Sequence, residues 1–196
     1  MTVTQQDTAA EHHFESPTTA LKHEHRVIER ALRVLGTLVE NPEQGSLEQW
    51  ETTIDFIRNF ADRCHHLKEE KVLFPALEKW GIDPTTGPIS IMLEEHEEGR
   101  GYVRAMAESL ASQNPEGTKA ALVENAKSYL RLLPDHIQKE DEVLFEIADS
   151  VLPPEEKVRL VREFEEHETN EMGAGVHDKY VRLLAELEES VKVARR

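Results

Sequence analysis

Cysteine is nearly absent: Cys64 stands alone among 196 residues. A chain with one thiol closes no internal disulfide. It also supplies too few sulfur ligands for a zinc ribbon or an iron–sulfur cluster of its own. Long apolar runs are missing as well; none approaches the ~20 residues that span a bilayer. Residues 1–16 are polar and lack the apolar core of a secretion signal, so a cytoplasmic location is expected. Positive charge is scarce, with 23 Lys and Arg against 39 Asp and Glu, a net charge of −16. Such a surface repels nucleic acid and anionic membranes, and neither is expected as a partner.

What remains is a helix-leaning globular composition, 38% hydrophobic and 32% charged, in which the nine prolines and nine glycines punctuate long periodic segments. The spacing predicts a first helix from the hydroxyl-rich start Ser16-Pro17-Thr18-Thr19 to just before Asn41-Pro42. Its seam is Leu21, His25, Ile28, Leu32, Leu35 and Val39. A second helix is expected after Ser46, with Gln49 completing a capping box, and should run to Trp80-Gly81 with a kink at Pro75. A third should start near Pro88 and stop before Asn114-Pro115. A fourth should run from about Thr118 to Pro153-Pro154, bent by Pro134. Two shorter helices should follow, separated by Gly173-Ala174-Gly175. The expected organisation is all-α: a flexible tail over 1–17, a four-helix bundle over 18–150, and two additional C-terminal helices over 155–194, packed on the bundle or on a second subunit.

The chain repeats itself. A shift of 71 residues carries His25 onto His96, His65 onto His136 and Glu69 onto Glu140, with no gap. The same shift of 71 carries Glu24 onto Glu95, Lys68 onto Lys139, and Val72-Leu73-Phe74 onto Val143-Leu144-Phe145. The bundle thus reads as two similar helical hairpins, each giving a lone histidine and a His-x-x-x-Glu pair. Residues i and i+4 share a helix face, so each pair points one way. Both pairs lie on apolar seams: Ala61, His65, Glu69, Val72, Ala76 on helix two, and Tyr129, Leu133, His136, Glu140, Val143, Ile147 on helix four. Burying four imidazoles and two carboxylates without partners is costly, and a pair of metal ions removes that cost. Mixed imidazole and carboxylate donors suit iron better than calcium or magnesium; manganese and zinc rank lower but share the ligand types. His66 competes with His65, but its repeat mate is Ile137, so His66 is expected on the helix surface or beside the site. His23 maps onto Glu94 and is likewise set aside.

These segments resemble the hemerythrin-like, HHE cation-binding family over about residues 18–150. The resemblance is carried by Leu21-Lys22-His23-Glu24-His25, by Cys64-His65-His66-Leu67-Lys68-Glu69-Glu70-Lys71-Val72-Leu73-Phe74-Pro75, by Glu94-Glu95-His96-Glu97-Glu98-Gly99-Arg100, and by His136-Ile137-Gln138-Lys139-Glu140. It implies an up-down-up-down bundle with a non-haem centre of two iron ions, bridged by the two glutamates and an oxo or hydroxo group. Oxygen-carrying hemerythrins have a fifth histidine where this chain has Arg100, and an aspartate where it has Glu140. The four-His, two-Glu set is instead similar to bacterial hemerythrin-like proteins, iron-centre repair proteins and the iron-sensing domain of an F-box protein. With two histidines per iron, each iron keeps one labile position. That favours binding of, or reaction with, oxygen, peroxide or nitric oxide over reversible oxygen storage. Peroxide disproportionation is the first enzymatic expectation. The alternative is an iron or oxygen sensor, or an iron-handling protein without turnover; a redox or iron-exchange protein partner fits either. A ferritin-like oxidase is disfavoured, because the chain contains no Glu-x-x-His.

Three residues flank the expected ligands. Tyr129, two turns before His136, is a core tyrosine or a phenolate ligand. Gly99 leaves room for a small ligand or for close helix packing. Arg100 pairs with a nearby carboxylate or reaches solvent. Cys64 is expected to be an inert thiol, and His167 and His177 to sit on a solvated face.

Overall fold

The computed structural model describes residues 14–112, 115–173 and 175–191. The expected tail lies mostly outside the described residues. Its last part is structured: Phe14 packs on the core, Ser16 caps the first helix, and Pro17 is that helix's first residue. Helix α1 is Pro17–Glu40, where the Ser16 hydroxyl accepts from the Thr19 N–H at 3.1 Å. Helix α2 covers residues 47–79 and opens with the expected capping box. Gln49 N–H donates to the Ser46 hydroxyl, and Ser46 N–H donates to the Gln49 side chain. Helix α3 is Pro88–Ala111. Helix α4 covers residues 115–151 and starts on Pro115, three residues before the expected Thr118; proline suits a first turn, where its missing N–H has no partner to lose. Helices α5, Pro154–Met172, and α6, Val176–Val191, follow. Gly173 and Gly175 between them have φ of +91° and +75°, a left-handed backbone that a side chain would strain. No helix among the described residues is long and apolar enough to cross a membrane.

The helices α1 to α4 form the bundle, and their apolar seams build two separate cores. One lies towards Trp50, Phe56, Phe60, Met106 and Tyr129; the other surrounds Leu21, Phe74, Leu77, Met92 and Phe145. The appended helices pack on the bundle of the same chain. Leu160 and Phe164 of α5 enter the second core, whereas Tyr180, Leu184 and Leu187 of α6 enter the first. Polar ties fix them: Arg30 to Glu188 at 2.9 and 2.6 Å, and the Tyr180 hydroxyl to Asp55 at 3.0 Å.

The two long ligand-bearing helices are not regular. Helix α2 widens to π geometry over Ile57–His66 and Glu69–Leu73, and α4 over Glu140–Leu144. The second and third of these obey the 71-residue repeat. A π turn inserts one residue, so every later side chain rotates around the axis. The expected seams therefore slip by one position. Val143 is 49% exposed and Leu144 is fully buried; Ala148, not Ile147, reaches the core. Likewise Leu73 is buried where Val72 was expected. Pro75 follows directly on the π turn of α2, and Pro134 lies inside α4, without ending either helix.

Candidate metal centre

The six residues that the repeat singles out meet in one layer between the two cores, each at most 2% exposed. Glu140 sits at the middle. Its carboxylate lies 3.2 Å from His25 Nε2, 3.3 Å from His136 Nε2 and 3.8 Å from His96 Nε2. Glu69 lies 3.7 Å from His65 Nε2 and 3.5 Å from His96 Nε2. Ligand atoms of His25, His65, Glu69 and Glu140 fall within 4.8 Å of one another.

Each of the four imidazoles is held from behind by a carboxylate of another helix. His65 Nδ1 meets Glu24 of α1 at 2.9 Å, and His136 Nδ1 meets Glu95 of α3 at 3.0 Å. His25 Nδ1 meets Asp141 of α4 at 2.7 Å, and His96 Nδ1 meets Glu70 of α2 at 2.8 Å. These contacts close a ring around the bundle, and they too follow the 71-residue offset, pairing Glu24 with Glu95 and Glu70 with Asp141. Cations hold the carboxylates in turn: Lys68 on Glu24, Lys139 on Glu95, Arg26 on Asp141, and Arg100 on Glu70 at 2.6 Å. A carboxylate on Nδ1 fixes the tautomer and turns Nε2 towards the centre, as in metal-binding histidines generally. Sequence reasoning noticed that Glu24, Lys68 and their mates repeat but assigned them no task. It missed Glu70 and Asp141 altogether, although the repeat offset relates them.

Facing inwards, the Nε2 atoms of His25, His65, His96 and His136 and both oxygens of Glu69 and Glu140 are buried without a hydrogen-bond partner among the described residues. Orphaned polar atoms at this density are rare in proteins and call for a bound ion or ordered water. A nitrogen–oxygen donor set fits a transition metal held by imidazole and carboxylate. The charges agree. Burial and the neighbouring Glu140 push the Glu69 carboxyl well above its usual range. Burial also opposes ionisation of Glu140, but His136, His25 and His96 hold it well below the usual carboxylate range. Burial disfavours a charged His25, yet its hydrogen bonds to Asp141 and Glu140 prevail and raise it to about 9. At pH 7 the metal-free centre thus carries a proton on His25 that a metal must displace. Metal uptake in unbuffered solution at pH 7 is expected to release at least the His25 proton from each chain, measured with an indicator dye. Apparent affinity should climb as pH rises towards 9, because protons compete with metal below the raised His25 value. Uptake without proton release would contradict this charge assignment.

The hemerythrin HHE cation binding domain family matches residues 16–148. The chain belongs to this family. Among relatives, the uncharacterized protein Mb2018 of Mycobacterium bovis is 26% identical over 187 residues, covering 91% of this chain and 72% of that one. The uncharacterized protein Rv1995 of Mycobacterium tuberculosis matches equally, at 26% over the same 187 residues. The iron-sulfur cluster repair protein DnrN of Neisseria gonorrhoeae is 34% identical over 85 residues, 41% of this chain and 54% of that protein. No solved structure matches.

The hemerythrin-like bundle places the remaining expected neighbours as follows. Arg100 pairs with Asp62 at 2.8 Å as well as with Glu70, so it serves carboxylates and does not run to solvent. Tyr129 is a core side chain whose phenol is kept neutral by burial. Its ring lies 3.5 Å from where a Cβ on Gly99 would sit, an ordinary contact distance, so the helix packing here does not require glycine. All three also line a cavity of about 200 Å³, together with Arg58, Asp62 and His66. Cys64 is fully buried, and burial raises its thiol, which keeps it protonated. His23 is exposed against Phe14. One expectation is overturned. His177 is half-buried, with Nε2 3.9 Å from the Glu24 carboxylate, while Glu168 comes within 3.5 Å of Lys68, because α5 and α6 fold back over α2. His66, expected on the surface or beside the site, lies beside it: it is 4% exposed, with its ring centroid 4.0 Å from that of His96.

Proposed function

We propose that this chain holds two iron ions between His25, His65, His96, His136, Glu69 and Glu140, and that the centre binds or reacts with a small oxidant or ligand: oxygen, hydrogen peroxide or nitric oxide. The orphaned ring of Nε2 and carboxylate oxygens, buried between two apolar cores, carries this reading. Iron supplies the change of oxidation state. The protein's residues do the rest. The histidines present neutral Nε2 atoms, the outer carboxylates anchor their Nδ1 protons, and Glu69 and Glu140 place negative charge between the two ions. The surrounding cores exclude bulk water, and the cavity beside Gly99 and Tyr129 offers room for a small molecule. Iron counted per chain after anaerobic loading, with visible spectra under oxygen, peroxide and nitric oxide in turn, tests the proposal. A saturating content of about one iron per chain or less would end it.

A second reading has its own observation. Glu168 and His177 of the appended helices touch the Glu24–Lys68 pair that holds His65, so occupancy of the centre can be felt at a surface a partner could read. This supports an iron or oxygen sensor, or an iron-handling protein like the repair protein among its relatives. Rapid peroxide loss with many turnovers favours the enzyme; a stoichiometric spectral change favours the sensor.

A further inference from the structure

We propose that His66 is itself a metal ligand, making the two metal positions unequal: His66, His96 and His136 on one side, His25 and His65 on the other, with Glu69 and Glu140 between them. The inference rests on the two-metal reading above and extends it by a residue the repeat argues against.

Geometry carries it. Ligand atoms of His66, His96 and His136 lie within 4.8 Å of one another, and all three residues are buried. The His66 ring stacks on His96 with centroids 4.0 Å apart and meets His136 edge-on at 5.6 Å. His66 Nδ1 lies 3.7 Å from the Asp62 carboxylate, and Arg100 holds Asp62 in place. The other four histidines have a cation-pinned carboxylate of another helix on Nδ1; here the carboxylate is on the same helix, one turn before His66. The contact is longer than theirs, and Nδ1 has no hydrogen bond among the described residues. The π stretch Ile57–His66 ends on this residue, while its repeat mate Ile137, equally buried at 3%, sits in regular helix of α4. Extra π turns inside helices concentrate at functional positions.

The consequence is asymmetry in a pseudo-symmetric bundle. If Glu69 and Glu140 each give one oxygen to each ion, the His66 side receives five protein ligands and the His25 side four. The more open position then belongs to the ion beside His25 and His65. Without His66 the two sides would be alike.

His66→Ile tests this in the full-length chain, because isoleucine is what the other hairpin carries at the equivalent place. Metal-free thermal unfolding of this variant should stay near that of the unaltered protein, showing that it folds. Competition of bound cobalt(II) and iron(II) against a chelator should show one of the two ions held at least about tenfold more weakly, with the other unchanged. X-ray absorption should show fewer imidazole nitrogens per metal, and added imidazole should restore the affinity in His66→Gly. A His65→Ala variant should weaken the other ion. Two ions bound by His66→Ile with unchanged affinity and unchanged nitrogen count would overturn the proposal while leaving the two-metal reading intact. Failure of the unaltered protein to bind two ions would overturn both.

Discussion

Glu140→Ala is expected to lower affinity for both metal ions by more than about 100-fold, beyond the loss typical of removing an outer hydrogen-bond partner. The reason is position. Glu140 is fully buried and lies within 4 Å of three of the histidines, so it serves both sides of the centre at once. No neighbouring carboxylate can replace it, because Asp141 is taken up by His25 Nδ1 and Arg26. Glu140→Gln keeps the volume and removes the charge, and should fall between the alanine variant and the unaltered protein. The fold should survive, since the apolar cores lie on either side of the layer that Glu140 occupies. Metal content after equilibrium dialysis, beside far-ultraviolet circular dichroism, checks both halves. A folded Glu140→Ala protein that retains two ions at the original affinity would remove Glu140 from the centre.

Stripping the metal should cost the protein a large part of its stability. Eight buried ligand atoms in the layer have no hydrogen-bond partner among the described residues, and metal binding to the folded state alone satisfies them. At free metal ~1,000-fold above Kd the gain is about 4 kcal/mol. For a chain of this size that corresponds to a midpoint shift on the order of 10 °C. Calorimetry of iron-loaded and chelator-treated protein measures the difference. An unchanged midpoint would mean that the layer is satisfied without metal.

The ligand candidates were legible before any coordinates because two kinds of spacing agreed. The i, i+4 pairs His65–Glu69 and His136–Glu140 fix a common face by helix geometry alone, and the 71-residue offset ties that face to His25 and His96. Helix starts were legible for a similar local reason: Ser16, Ser46 and Gln49 satisfy the nearest free N–H groups, and the structure uses each of them as the spacing implied. What failed was the assumption of constant pitch. Val72, Val143 and Ile147 fit a regular helix, but π turns at Glu69–Leu73 and Glu140–Leu144 carry the seam one residue further, to Leu73, Leu144 and Ala148.

The sequence by itself determined an all-helical chain of two related hairpins and named the four histidines and two glutamates that converge, since both follow from periodicity along one strand of residues. Only the tertiary structure decided which carboxylate stands behind each histidine, because Glu70 with His96 and Asp141 with His25 are contacts between helices that linear spacing does not register. It also decided that α5 and α6 cover Glu24 and Lys68, and that His66 turns inwards. Each depends on how the helices pack and fold back on one another, which no single segment specifies.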